Sequence, residues 1–136
     1  MSPAVPATPE PGATPGADPS PENDEQPVLA PAPSGTGCTE CLDLGGWWWH
    51  LRRCAECGHI GCCDASPGQH ARRHAEETGH TVAASFEPGE EWFWDYAEER
   101  GARHIPLAPP RWRPEEQACP GPAGSVPENW QELLHP

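Results

Sequence analysis

The sequence predicts a small α+β domain: a short antiparallel sheet packed on one main helix, with a disordered Pro-rich tail at the N-terminus. Three observations predict it. Cysteines and histidines crowd into the stretch from Cys38 to His80, whereas residues 1–36 are almost free of large apolar side chains. Short aromatic and β-branched runs alternate with Gly and Pro turn signals, the pattern of strands too short for a large sheet. One segment, from about Gly68 to Thr78, is long enough for a helix and ends on Gly79.

The tail comes first. Residues 1–36 carry Glu10, Asp18, Glu22, Asp24 and Glu25, with no basic residue. Proline fixes φ and lacks an amide donor, so this stretch is expected to be extended and without a core. Across the chain Pro (20) and Gly (14) together make about a quarter of the 136 residues. A domain assembled from the remainder has a small core and needs another source of stability.

The cysteines and histidines supply that source. The order is Cys38-x-x-Cys41, Cys54-x-x-Cys57, Cys62, then His70, His74 and His80. Thiolate and imidazole are the ligands of tetrahedral zinc, and a CxxC turn aims two sulfurs at one ion. Eight ligands make two four-coordinate sites, which predicts two zinc ions and a zinc-stabilised domain. Thioredoxin-like redox chemistry is disfavoured, because its CxxC stands alone at a helix start. His70 and His74 are four residues apart and share a helix face, so they serve one zinc together or two zincs separately. A metalloprotease HExxH places glutamate directly after the first histidine; Ala71 stands there instead.

The elements run in order. Gly45-Gly46 reads as a turn, and Trp47 to Leu51 as a strand with Trp48 facing away from Trp47 and Trp49. CAECGH, Cys54 to His59, is a zinc knuckle, and Ile60 to Cys62 a short partner strand. Ser66-Pro67 suits the start of the helix. Thr81 to Phe86 and Glu91 to Tyr96 read as a hairpin around Glu87-Pro88-Gly89-Glu90. Prolines 106, 109, 110, 114, 120 and 122 rule out long regular elements beyond it. The expected division is therefore a tail over 1–36, a domain over 37–99, and an extension over 100–136 that is partly ordered at best.

Charge excludes some functions. The net charge is −13, and all eight basic residues are arginine. A nucleic-acid binder needs a basic face, so none is expected. No apolar run approaches the roughly 20 residues of a membrane span. No basic and apolar secretory leader opens the sequence, so a cytoplasmic protein with reduced thiols is expected.

CTEC, CAEC, the four-residue gap to Cys62, the His70-x3-His74-x5-His80 run and the TGH at Thr78 to His80 together resemble the ubiquitin-protease-type zinc finger, in a small, bacterial-like version. The resemblance covers about Cys38 to Tyr96. It implies that Cys38, Cys41, Cys62 and His70 hold one zinc, and Cys54, Cys57, His74 and His80 the other. Both sites are then closed and structural. It also implies a non-enzymatic module that binds a peptide segment, or the C-terminal end of a protein, in an aromatic groove. Trp92, Trp94 and Tyr96 fall on the expected groove strand, with Trp48 and Arg52 nearby. Where the family has a carboxylate-binding arginine, Asp64 stands here, which predicts little or no binding of the ubiquitin tail. The rival expectations are a purely structural zinc scaffold whose partner docks elsewhere and a zinc-dependent hydrolase.

Overall fold

The structure, a computed structural model, describes residues 30–136. Most of the expected tail, residues 1–29, lies outside the described residues. Its last part does not behave as tail. Ala30 donates to the Pro106 carbonyl, Ser34 donates to that of Gly58, and the Ser34 hydroxyl accepts from the Ile60 amide.

The described residues form helix α1 (Thr39–Leu44), strands β1 (Leu51–Cys54) and β2 (Ile60–Cys62), and helix α2 (His70–Thr78). Strands β3 (Val82–Ser85), β4 (Phe93–Asp95) and β5 (Arg100–Ala102) come next, then two short 3₁₀ turns. The strands make one antiparallel sheet in the order β2-β1-β3-β4-β5. Helix α2 packs on β2 and β1. Among the described residues, no helix is long and apolar enough to cross a membrane.

Local chemistry explains most boundaries. Cys38 caps α1 with its own sulfur, which accepts from the Cys41 amide at 3.4 Å, and Gly45 at φ 73° ends it. Helix α2 starts at His70, two residues later than expected, because Gln69 adopts φ 50°. It stops at Gly79, whose φ of 81° suits glycine and whose amide reaches the Ala75 carbonyl. The β3–β4 hairpin turns where Glu90 donates to the Glu87 carbonyl, with Gly89 at φ 85°.

The first strand is displaced from its expected place. Trp47–Trp49 precede β1 rather than forming it, because the Cys54–His59 knuckle sets the register. Cys54 donates to the His59 carbonyl and Gly58 to that of Cys54, so the strand feeding the turn is Leu51–Cys54. Trp48 instead pairs through its backbone with Gly121, and its indole is buried.

The core is small and divided. One cluster joins Trp48, Leu51, Ile60 and Phe86 to the thiols Cys38, Cys41 and Cys62. The other holds Ala55, Ala84 and Phe93. Arg53 is fully buried, its guanidinium donating to the carbonyls of Pro31 and Pro110.

Order extends past residue 99, further than the sequence predicts. β5 adds a fifth strand, and the proline-rich remainder is tied to the rest of the domain at several separate points. The Trp112 indole donates to the Glu90 carbonyl, Trp130 meets Trp49 at 6.0 Å, and His135 donates to the Ala65 carbonyl.

Gly61 marks the closest approach of sheet and helix. A Cβ there would lie 2.6 Å from the Ala71 backbone nitrogen and 2.8 Å from its Cα. Gly61→Ala is therefore expected to push α2 off β2 and cost about 1–3 kcal/mol in urea unfolding. An unchanged midpoint would show that the helix has room to move.

Candidate metal centres and an aromatic pocket

Three elements converge on the first centre. Cys38 caps α1, Cys41 lies within it, Cys62 ends β2 and His70 opens α2. Their ligand atoms all lie within 4.8 Å of one another. His70 Nδ1 stands 3.3 Å from Cys38 Sγ and 3.4 Å from both Cys41 Sγ and Cys62 Sγ; Cys41 and Cys62 sulfurs are 4.0 Å apart. Backbone amides of Cys41 and His70 point at the Cys38 and Cys62 sulfurs.

A single imidazole nitrogen cannot hydrogen-bond three sulfurs at once. Around a tetrahedral zinc, however, ligand nitrogen and sulfur sit about 3.6 Å apart and two sulfurs about 3.8 Å apart. The observed spacing is close to that. The charge balance agrees. Hydrogen bonds from Cys38 and Cys41 hold the Cys62 sulfur as a thiolate, far below its usual range, while Cys41 and Cys62 push the Cys38 thiol far above it. Three packed thiols alone favour one negative charge; a divalent cation allows three. No two of the seven cysteines are disulfide-bonded.

The second centre gathers Cys54 from the end of β1, Cys57 from the knuckle, His74 from α2 and His80 just after it. Cys57 Sγ and His74 Nε2 are 3.3 Å apart, and the Glu56 amide points at Cys54 Sγ. Burial pushes the Cys54 thiol up to about 11 and holds His74 below its usual range, neutral as a metal ligand must be. His70 and His74 thus turn to different centres from one helix.

His59 belongs to neither set; it touches His74 of the second and reaches the first only through Glu40. Its ring stacks on His74 at 4.1 Å and 2°, and its Nε2 meets Glu40 Oε2 at 2.9 Å. Glu40 lies between Cys38 and Cys41. Such outer contacts hold ligand rings in place. Glu40 carries no ligand spacing, so the sequence did not single it out.

On the other side of α2, Arg52, Asp64, Trp92, Trp94 and Tyr96 line one cavity of about 170 Å3. Five of the six residues expected to bind a ligand are therefore together. The sixth, Trp48, is not: at 3% exposure it is part of the core. Asp64 is paired. Its Oδ2 accepts from Arg72 Nη2 at 2.7 Å and Nε at 3.1 Å. The Arg72 guanidinium also lies 5.1 Å from the Tyr96 ring, and that of Arg52 4.5 Å from the Trp92 ring. Arg52 has no acidic partner within 4.0 Å among the described residues. Burial raises the Tyr96 phenol above its usual range, so its hydroxyl stays a donor.

Residues 38–105 match a family model described as the Zn-finger in ubiquitin-hydrolases and other protein. The solution structure of protein RPA1320 from Rhodopseudomonas palustris is similar, with 42% sequence identity and a TM-score of 0.53. That match covers 68% of this chain and 87% of the other. No curated protein matches the chain. The matched residues run from the first cysteine of the metal centres through the strands of the aromatic pocket, and the chain belongs to the family of zinc fingers found in ubiquitin hydrolases and other proteins.

Proposed function

We propose that the chain is a non-enzymatic recognition module, with two structural zinc ions and a pocket for a peptide or protein chain end bearing a free carboxylate. Each of the two four-ligand sets is closed, with no position for water or substrate, which favours binding over hydrolysis at those centres. Reduced thiols suit the cytoplasm.

The supporting observation is the charge pattern of the pocket. Asp64 was expected to repel a carboxylate, but Arg72 occupies it. That leaves Arg52 as the uncompensated cation beside three aromatic rings. A chain-end carboxylate pairs with the Arg52 guanidinium and accepts from the Tyr96 hydroxyl. The residues before it lie between Trp92, which is 40% exposed at the rim, and Trp94. The small cavity favours narrow residues such as glycine at that end.

Titration calorimetry with a Gly-Gly-ending peptide and its C-terminal amide tests this. The acid is expected to bind, with the amide and Arg52→Ala each weakening binding about 10- to 100-fold, the worth of one hydrogen bond to a charged group. Arg72→Ala is expected to weaken it as well, by freeing Asp64. Equal binding of acid and amide would refute the carboxylate reading. No binding of either would leave the zinc scaffold as the function.

A further inference from the structure

We propose that His50, Glu87 and Cys119 form a third metal site, for one divalent cation of the zinc class with its fourth position open to water. Their ligand atoms lie within 4.8 Å of one another. Cys119 lies beyond residues 38–105, so the two four-ligand centres do not account for this cluster.

The three residues come from distant parts of the chain and each is held. His50 precedes β1, and its ring stacks on Trp49 at 4.2 Å. Glu87 follows β3 and is buried. Its Oε2 accepts from the Leu51 amide at 2.8 Å, and its Oε1 from Arg113 Nε at 2.8 Å. Cys119 is two residues from Gly121, whose amide and carbonyl pair with those of Trp48 at 3.0 and 2.8 Å. Ligating carboxylates are commonly held by hydrogen bonds from neighbouring groups, as Glu87 is here.

The donor set selects the ion. One sulfur, one nitrogen and one carboxylate oxygen are zinc-class ligands, and three of them leave the fourth tetrahedral position to water. Burial favours the neutral imidazole of His50. Cys119 Sγ now donates to the Trp49 carbonyl at 3.1 Å. On metal binding that proton leaves to solvent and the thiolate takes the ion; nothing is oxidised. Ligand atoms around zinc are about 3–4 Å apart, so closure takes a shift of about an ångström. Cys119, on an exposed segment, can supply it. Arg113 stays on Glu87 Oε1 and repels a cation, so this ion binds more weakly than the other two. It would staple the C-terminal segment to the sheet.

The test is metal counting on the full chain after equilibrium dialysis against zinc or cobalt. The unmodified protein is expected to hold one equivalent more than Cys119→Ser and His50→Gln, with unchanged circular dichroism. Alkylation of Cys119 by iodoacetamide, followed by peptide mass, gives a readout that needs no variant. The last equivalent of zinc should slow it about tenfold or more, because a bound thiolate is a poor nucleophile. Equal metal content in all three proteins, or alkylation indifferent to the last equivalent, would overturn the site.

Discussion

Removing the metal with a strong chelator is expected to unfold the domain, and adding zinc back to restore it. The physical reason is the size of the core. Cys38, Cys41 and Cys62 are themselves members of the larger apolar cluster. Without a cation their sulfurs become a buried group of competing thiols between α1, β2 and α2. A structural zinc contributes about 10 kcal/mol or more in small fingers, as much as the whole net stability of an ordinary domain. Far-ultraviolet circular dichroism and metal content, followed together, are the measurement. Single-ligand variants should divide by centre. Cys62→Ser is expected to lose the ion shared with Cys38, Cys41 and His70, and His80→Ala the one shared with Cys54, Cys57 and His74. A metal-free protein that melts cooperatively at the same temperature would refute the zinc-held core.

The second large effect is expected at Glu87. Glu87→Ala should destabilise the fold by about 3–5 kcal/mol, the cost of stranding one partner of a buried ion pair. Glu87 and Arg113 are both nearly inaccessible, and Arg113 reaches Glu87 Oε1 with Nε and Nη2, each at 2.8 Å. The same carboxylate accepts from the Leu51 amide at the start of β1. Truncation leaves that amide without an acceptor and the guanidinium with only the carbonyls of Pro114 and Gln117. Glu87→Gln can keep an acceptor for the Leu51 amide but turns its NH2 toward the Arg113 donors, so it loses the ion pair yet should cost less than full truncation. Urea unfolding monitored by tryptophan fluorescence reads both. A cost under about 1 kcal/mol for Glu87→Ala would place the pair among ordinary surface salt bridges.

Sequence alone determined what depends on local chemistry. Thiolate and imidazole at CxxC and helical spacing mark metal ligands whatever surrounds them. The αL residues Gly45, Gly79 and Gly89 mark the turn after the first CxxC, α2's end and the β3–β4 turn, because few other residues tolerate positive φ; α1 itself, capped by a metal-site sulfur, was not legible. A two-residue period in Trp92–Phe93–Trp94 separates pocket face from core face, and Phe93 is buried while Trp92 and Trp94 line the pocket.

Tertiary structure decided what depends on partners far along the sequence. His70 and His74 are only about 40° apart around the helix axis, so their spacing permits one ion or two. The knuckle beside α2 and the end of β2 sort them into separate centres. Trp48 had the composition of a groove residue, but its backbone pairing with Gly121 turns it into the core. Arg53 looks like a surface charge until Pro31 and Pro110, 79 positions apart in the sequence, bring their carbonyls to it. Asp64 carries its charge in the sequence, but only the fold sets Arg72 of α2 against it, eight residues away. The segment after residue 99 has little periodicity to read, because scattered backbone and side-chain bonds to distant parts of the chain order it rather than one long repeating element. Each of these outcomes is a pairing of groups with no characteristic sequence separation, and only the folded protein brings such groups within bonding distance.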